Sequence, residues 1–558
     1  MVRSYAYAPG GTNAGYQITY QLGAPDGAYQ AVLYFVEPSN IAVGARKFDI
    51  VANGTVIATD VDVRALAGNT INKAVALTLN VNVTGAQGLK LEFVNKSASY
   101  SAIVSGIELR RANANGVANP VLSLQASTDN GASWATVATG LTLDPYGNGQ
   151  TLWTPDTETV GNTARLRVVA TINPVGGPIT VSDVSDEGFL IANAGNRYYV
   201  NDGSLAGDEY TTAVGDNANS GKDASRPMAS LAALLRAYDL DAGDIIYVDS
   251  GSYSLATNIV LGAQDSGVVI QGAQQPGHAT VLDRGNTNTG QVVIDLRGAD
   301  DVTLRNLGLT GGYYGVWADS GVDSDRITLA DSRVYGNAYH GVIIESNSAS
   351  EDFTVRGGAL HNNGYSGAYL RAAGGRIEGS DLYGNGQWGA DTNGLAAGDV
   401  TVIGNKVHDN ASGGLVAGAY ALLVGNEVYS HLGSGDRGIQ VTGSARAQDN
   451  IVHHNYDGIY AGSGAVADHN EVYFNTRYGI DLYSSGTASA NRVYSNSIGI
   501  NQQYYSTVEN NVIYVNTNVG LQIGSTASTQ LTRNNTIYQP VGDAILVQSG
   551  ATNTQLAN

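Results

Sequence analysis

From about residue 330 onward one short word recurs: Asn, any residue, Val, Tyr or His, any residue, Asn. Its clearest copies are Asn405-Lys-Val-His408-Asp-Asn410, Asn450-Ile-Val-His453-His-Asn455, Asn470-Glu-Val-Tyr473-Phe-Asn475 and Asn491-Arg-Val-Tyr494-Ser-Asn496. Copies begin 20 to 26 residues apart, the length of one coil of three short strands and three turns. A chain with this period folds as a parallel β-helix, in which residues twenty-odd apart become neighbours. The Asn residues then fall into two columns. One runs through Asn405, Asn426, Asn450, Asn470, Asn491, Asn511 and Asn535; the other runs from Asn337 through Asn363, Asn385 and Asn410 to Asn516. Stacked amides bond coil to coil, and Asn tolerates the left-handed backbone of a tight turn. His361, His408 and His453 share a column with Tyr and are not spaced as a metal cluster.

After each word comes Gly and then alternating apolar residues, as at Gly341-Val342, Gly389-Ala390, Gly458-Ile459 and Gly479-Ile480. The apolar residue after Gly points inward, so the first and third residues beyond it face outward, as does the residue before Gly. On successive coils those positions hold Tyr314, Trp317 and Asp319; His340, Ile343 and Glu345; Tyr369 and Arg371; Trp388, Asp391 and Asn393. Later coils add Arg437 and Gln440, Asp457 and Tyr460, then Tyr478, Asp481 and Tyr483. Coils stack about 4.8 Å apart, so the strip combines aromatic rings with carboxylates and Arg, the chemistry that binds sugar rings and hydroxyls.

Three reactivities stay open on this strip. His340 as base with Arg371 neutralising a uronate would support C5 proton abstraction, with Glu345 and Asp391 as acid/base partners. Asp319 and Glu345, one coil apart, fall near the separation of a retaining glycosidase pair. The third reading is a non-catalytic surface, matrix or adhesin segment in which the solenoid is a rigid rod. In all three, Tyr314, Trp317, Asp319, Tyr369, Trp388, Asn393, Arg437, Gln440, Tyr460 and Asp481 are the expected ligand contacts. The expected partner is a polysaccharide.

The 558 residues exceed what one core serves, and the chain divides into three segments. Residues 1–112 alternate apolar and polar in short runs, a β-sandwich pattern; residues 113–196 form a second strand-rich unit, expected as an immunoglobulin-like spacer; residues 197–558 form the β-helix. The expected class is all-β. In the spacer, Ser127-Thr-Asp129-Asn-Gly131-Ala-Ser-Trp134 reads as an Asp-box hairpin whose Trp plugs the sheet. A net charge of −20 disfavours nucleic acid and anionic lipid as partners. With no Cys there is neither a disulfide framework nor a thiolate metal site, and no metal or other cofactor is expected. No apolar run approaches a membrane span. The start, Met1-Val-Arg-Ser-Tyr5, is not a signal peptide, so the chain reads as a piece of a longer multidomain protein, secreted or displayed on a bacterial surface.

Two resemblances add to this. Gly27-Ala-Tyr29, Leu33-Tyr-Phe-Val-Glu-Pro38, Gly44-Ala-Arg-Lys-Phe-Asp-Ile50 and Ala65-Leu-Ala-Gly68 resemble the malectin-like carbohydrate-binding domain. The likeness starts part-way into that domain, which implies either a truncated start or an incomplete set of sugar-stacking aromatics. Arg197-Tyr-Tyr-Val-Asn-Asp202, the helix expected over Leu231 to Tyr238, and Gly243-Asp-Ile-Ile-Tyr-Val-Asp249 resemble the opening of right-handed β-helix polysaccharide lyases and epimerases, where a helix caps the first coil. Trp388-Gly-Ala-Asp391-Thr-Asn393 is similar to the Tyr-Gly-hydrophobic-Asp-Pro-His motif of mannuronan C5-epimerases, but only Gly389 and Asp391 carry over. Tyr478-Gly-Ile-Asp481 is a second echo that keeps the Tyr and lacks the Pro-His.

Overall fold

The structure is a computed structural model describing residues 6–7, 14–111, 120–143, 147–156, 158–159, 161–172, 178–346, 348–394, 400–524 and 528–557. It divides into two compact units, residues 1–157 with 163–189, and residues 158–162 with 190–558.

In the first unit, alternation over Gly27–Val36, Phe48–Ala52, Ala74–Val83 and Leu89–Asn95 builds two facing antiparallel sheets. Phe35, Phe48 and Phe93 meet between them with ring centroids 5.7 to 6.2 Å apart. Glu37 and Arg46, both buried, pair at 2.7 Å. The same unit holds one four-stranded antiparallel sheet built from Val121–Ser127, Ala135–Leu141, Arg165–Ile172 and Ile179–Val184. Where a two-sheet spacer is expected, the described residues form this single sheet. Its Ser127–Trp134 turn closes on Asp129, which accepts from Ser133 N at 2.8 Å. Trp134 lies half-buried beneath Arg167, 4.2 Å from ring centre to guanidinium, rather than plugging a core.

The second unit is a right-handed parallel solenoid of three sheets. Sheet A starts at Arg197–Val200 and holds 15 strands; sheet B, from Gly251–Ser254, and sheet C, from Ile259–Gly262, hold 13 each. Sheet B shows why the coils close: Leu309, Val334, Leu360, Leu382, Val407, Val428, Val452, Val472 and Val493 stack in register, all fully buried. The open first coil is covered by the helix Leu231–Ala237, which Ser230 caps and which lays Leu231 and Leu234 on the core.

Both Asn columns form amide ladders. Along Asn405, Asn426, Asn450, Asn470, Asn491, Asn511 and Asn535, each Nδ2 donates to the next Oδ1 at 2.9 to 3.0 Å, and also to a backbone carbonyl of the preceding coil. In the second column His431 fills the gap between Asn410 and Asn455, and Gln539 follows Asn516. The left-handed backbone, expected at the ladder Asn themselves, falls one residue earlier. Asp449, His454, His469, Phe474, Ser495, Asn510 and even β-branched Val515 (φ 43°) carry positive φ. The ladder amides need extended geometry to bond along the axis, so the turn's strain is displaced onto the preceding side chain.

Candidate functional site

Sheet C fixes the groove. Asp295, Trp317, Ile343, Tyr369, Asp391, Val416, Gln440, Tyr460, Asp481 and Asn501 are successive partners in one register, flanked by inward Ile, Val, Leu or Ala except at buried Thr392 and Gln502. Two residues further along each strand, a second column carries Asp319, Glu345, Arg371 and Asn393. Glu345 N donates to Ala318 O at 3.1 Å, setting Glu345 directly over Asp319. The sequence-predicted strip is therefore one continuous face.

Its members fall into two clusters. The first is centred on Glu345, a half-buried carboxyl whose pKa is raised by burial and by the Asp319 charge, against a smaller opposing effect of Arg371. Arg371, 6% exposed, is bound to Asp391 twice, Nη2 to Oδ1 at 2.9 Å and Nη1 to the backbone O at 2.7 Å, and stacks 3.8 Å from the centre of Tyr369. Gly394 lets this guanidinium lie flat; a side chain there would strike it. Trp317 has Tyr314 on one side and Arg297 on another, and its Nε1 has no hydrogen-bond partner. Trp388 rests on Gly413, where a Cβ would collide with the indole. Asn393 is exposed beside them and donates its backbone N–H to Asp391.

The expected base, His340, is corrected by the structure. It is 3% exposed beneath Tyr339, Tyr365, Tyr369 and Tyr314, with ring centroids 4.6 to 6.1 Å away. Burial, aided by the Arg371 charge, drops its pKa to about 3. It is a neutral ring under the groove floor, with Nδ1 unpartnered, and is not presented to a ligand. Tyr339 and Tyr365, which enclose it, went unread in the sequence. They stand two places before Gly341 and Gly367 and stack on one another and on Tyr313, at 4.4 and 5.5 Å. That position, read as a column like the others, would have found them.

The second cluster spans the coils four to six steps from Glu345 towards the C-terminus, about 19 to 29 Å along the axis. Arg437 stacks 3.8 Å from the Tyr460 ring centre and bonds Gln440. Asp481, 8% exposed, takes a 2.7 Å bond from Asn501, and burial raises its pKa. Between the clusters the face is flat: Gly413, Val416 and Gly418.

Charge along the groove is largely balanced from within. Arg297 pairs with Asp295, Arg371 with Asp391 and Arg477 with Asp457. Asp319, Glu345 and Asp481 make no ion pair among the described residues, and neither does Arg437. Among the described residues no three His, Asp or Glu side chains converge as a metal requires, and no helix is long and apolar enough to cross a membrane.

The family model for a right handed beta helix region matches residues 290–446 and 340–498, and the malectin domain model matches residues 12–107. This chain joins a malectin domain to a right-handed β-helix. Among solved structures it is similar to the mannuronan C-5 epimerase AlgE4 A-module of Azotobacter vinelandii, at 17% identity over 57% of this chain and 91% of that one (TM-score 0.35). It is similar also to the Agl-KA catalytic domain, at 11% identity over 98% of this chain and 90% of that one (TM-score 0.37). Pectate lyase Pel9A gives 14% identity over 63% and 78% (TM-score 0.35). No curated protein sequence matches the chain.

Proposed function

We propose that sheet C binds an extracellular polysaccharide of neutral sugars and hydrolyses it, with Glu345 as the proton donor and Asp319 as its carboxylate partner. The observation that carries this reading is the pair itself. Two carboxylates stand one coil apart, and burial together with the Asp319 charge holds Glu345 towards its protonated form. Two carboxyl groups in unlike environments, beside aromatic rings, are what acid-assisted glycoside cleavage needs. Trp317, level with Asp319, and Trp388, two coils beyond Glu345, serve as sugar platforms. The Arg371–Asp391 bridge holds Tyr369 and the groove wall in place, and the malectin domain supplies a second carbohydrate contact on the same chain.

The uronate reading loses ground on charge. Three of four groove arginines are already paired with carboxylates, and Asp319 is paired with no cation, so little positive charge is left there for a polyanion. One observation still favours it: Arg437, free of a carboxylate and stacked on Tyr460, stands beside the Tyr478-Gly-Ile-Asp481 word. Incubation with neutral glucans, pectate and alginate separates the readings. New reducing ends from a neutral glucan, lost in Glu345→Gln, support hydrolysis. Unsaturated or epimerised uronates would replace it with C5 chemistry. No product from any polymer would leave the solenoid as a rod.

A further inference from the structure

The groove column does not begin at Asp295. One coil earlier it passes through Val260, the register partner of Asp295. There the cap helix Leu231–Ala237 overhangs sheet C, and Ala232 and Leu235 roof a cavity of about 590 Å³. Its polar lining is distinct from that of the groove. Arg284, 7% exposed, extends along the wall and donates Nε to Asn258 Oδ1 at 3.1 Å, Nη1 to Leu255 O at 3.0 Å and Nη2 to Gln291 Oε1. All three partners are neutral, and Arg284 makes no ion pair among the described residues. Five N–H groups minus these three bonds leave two to donate. Asp265, 1% exposed, also lines the cavity and accepts from Gly262 N and Gln264 Nε2 through Oδ2 alone; its Oδ1 is buried without a partner. Arg236, exposed on the cap helix, adds a second positive charge at the rim.

A buried guanidinium held only by neutral acceptors has given up hydration without gaining an opposite charge, and that deficit is what an incoming anion restores. A carboxylate suits the two remaining N–H groups, and Asn258, Gln264 and Gln291 offer amides to sugar hydroxyls. We propose that the cavity beneath the cap helix is a subsite for one carboxylate-bearing unit, a uronate or an acid-substituted sugar, carried on the otherwise neutral glycan that runs along sheet C. The identity of the ligand as a saccharide rests on the groove reading; the carboxylate preference rests on Arg284 alone. Two coil steps, about 10 Å, separate Val260 from Trp317, so one glycan strand reaches both.

The test is ligand-observed NMR on the full chain with glucuronate and, as the neutral control, glucose, at low ionic strength. Glucuronate is expected to bind at least about tenfold more tightly than glucose. Ala256→Trp, at an exposed position on the cavity lining, is expected to remove that binding by filling the space without touching the core. Arg284→Gln is expected to weaken it by about tenfold, and a folded Ala256→Trp chain decides the matter if Arg284→Gln fails to fold. Equal binding of the two sugars, or glucuronate binding that survives Ala256→Trp, overturns the proposal. Glu345→Gln separates the two claims. Glucuronate binding that persists in it, and in a chain that cleaves no polymer, keeps the subsite while the hydrolase reading falls.

Discussion

Sheets B and C of one solenoid both carry aromatic rings on their outer faces, yet they use them in opposite ways. On sheet B, Tyr335, His361, Tyr383, His408, Tyr429, His453, Tyr473, Tyr494 and Tyr514 stack in an unbroken row, centroids 4.7 to 5.2 Å apart and most planes within 8° of parallel. Each ring face is covered by the next coil's ring, leaving only edges to solvent, so no sugar can lie on them. On sheet C the column changes identity at almost every step, and rings alternate with carboxylates, amides and Arg. Repetition at the coil period is the mark of a self-satisfied ladder; departure from it marks positions free to meet something else.

The largest test of that contrast is chemical. Glu345→Gln is expected to lower hydrolysis by about a hundredfold or more, whereas Glu427→Gln, on the sheet B face beside His453, leaves the rate unchanged. A reducing-end assay on both variants reads it. Equal losses would end the distinction between the faces.

Next comes stability. Asn450 is the ladder partner of Asn426 and Asn470 and also bonds Leu423 O. Asn450→Leu strands buried polar atoms on both sides, at a cost of roughly 3 kcal/mol in denaturant unfolding. Because the groove stands on a different sheet, activity of the folded fraction should hold.

A third test uses the one ladder position that breaks type. His431 is fully buried between Asn410 and Asn455, and burial depresses its pKa from 6.5 to about 4. As pH falls the unfolded chain takes the proton first. The stability His431 allows is therefore complete above about pH 6.5 and is withdrawn progressively towards pH 4. His340, held lower still, acts in the same direction. His431→Asn should flatten this acid-side loss of Tm, and an unchanged slope between pH 6.5 and 4 would refute the assignment.

The smallest effect belongs to Val515, a β-branched residue in left-handed backbone. Val515→Gly should raise stability by about 1 kcal/mol, read as a small increase in Tm.

Periodicity explains what the sequence disclosed. Position within a coil determines which sheet and which face a side chain occupies, so the Asn ladders, the Tyr/His row and the placing of Trp317, Glu345, Arg371 and Asp391 on one face could be counted off. What counting misses is depth and partnership. His340 occupies an outward position, yet the tyrosines of the neighbouring turn close over it. Arg371 is in the column of Glu345, yet it turns towards Asp391 in the next coil. His431 stands at the last place of the word Asn426-Glu-Val-Tyr-Ser-His431, where its burial as a ladder rung is not legible from the count, and the cavity under the cap helix needs two elements brought together from outside the repeat.

The amide ladders have a further consequence for how such a protein can change. In the Asn405 to Asn535 column every rung joins Asn to Asn, so that register is satisfied by any whole number of coils. Removing the 20 residues from Asn450 to the one before Asn470 would let Asn426 hand its bonds to Asn470 without altering a single rung type. It would also bring Asp481 closer to Glu345 by one coil height and take Tyr460 out of the second cluster. Reach along the glycan is thus a quantity that this architecture can adjust in discrete increments, by duplication or loss of one turn, with the reactive carboxylates left untouched.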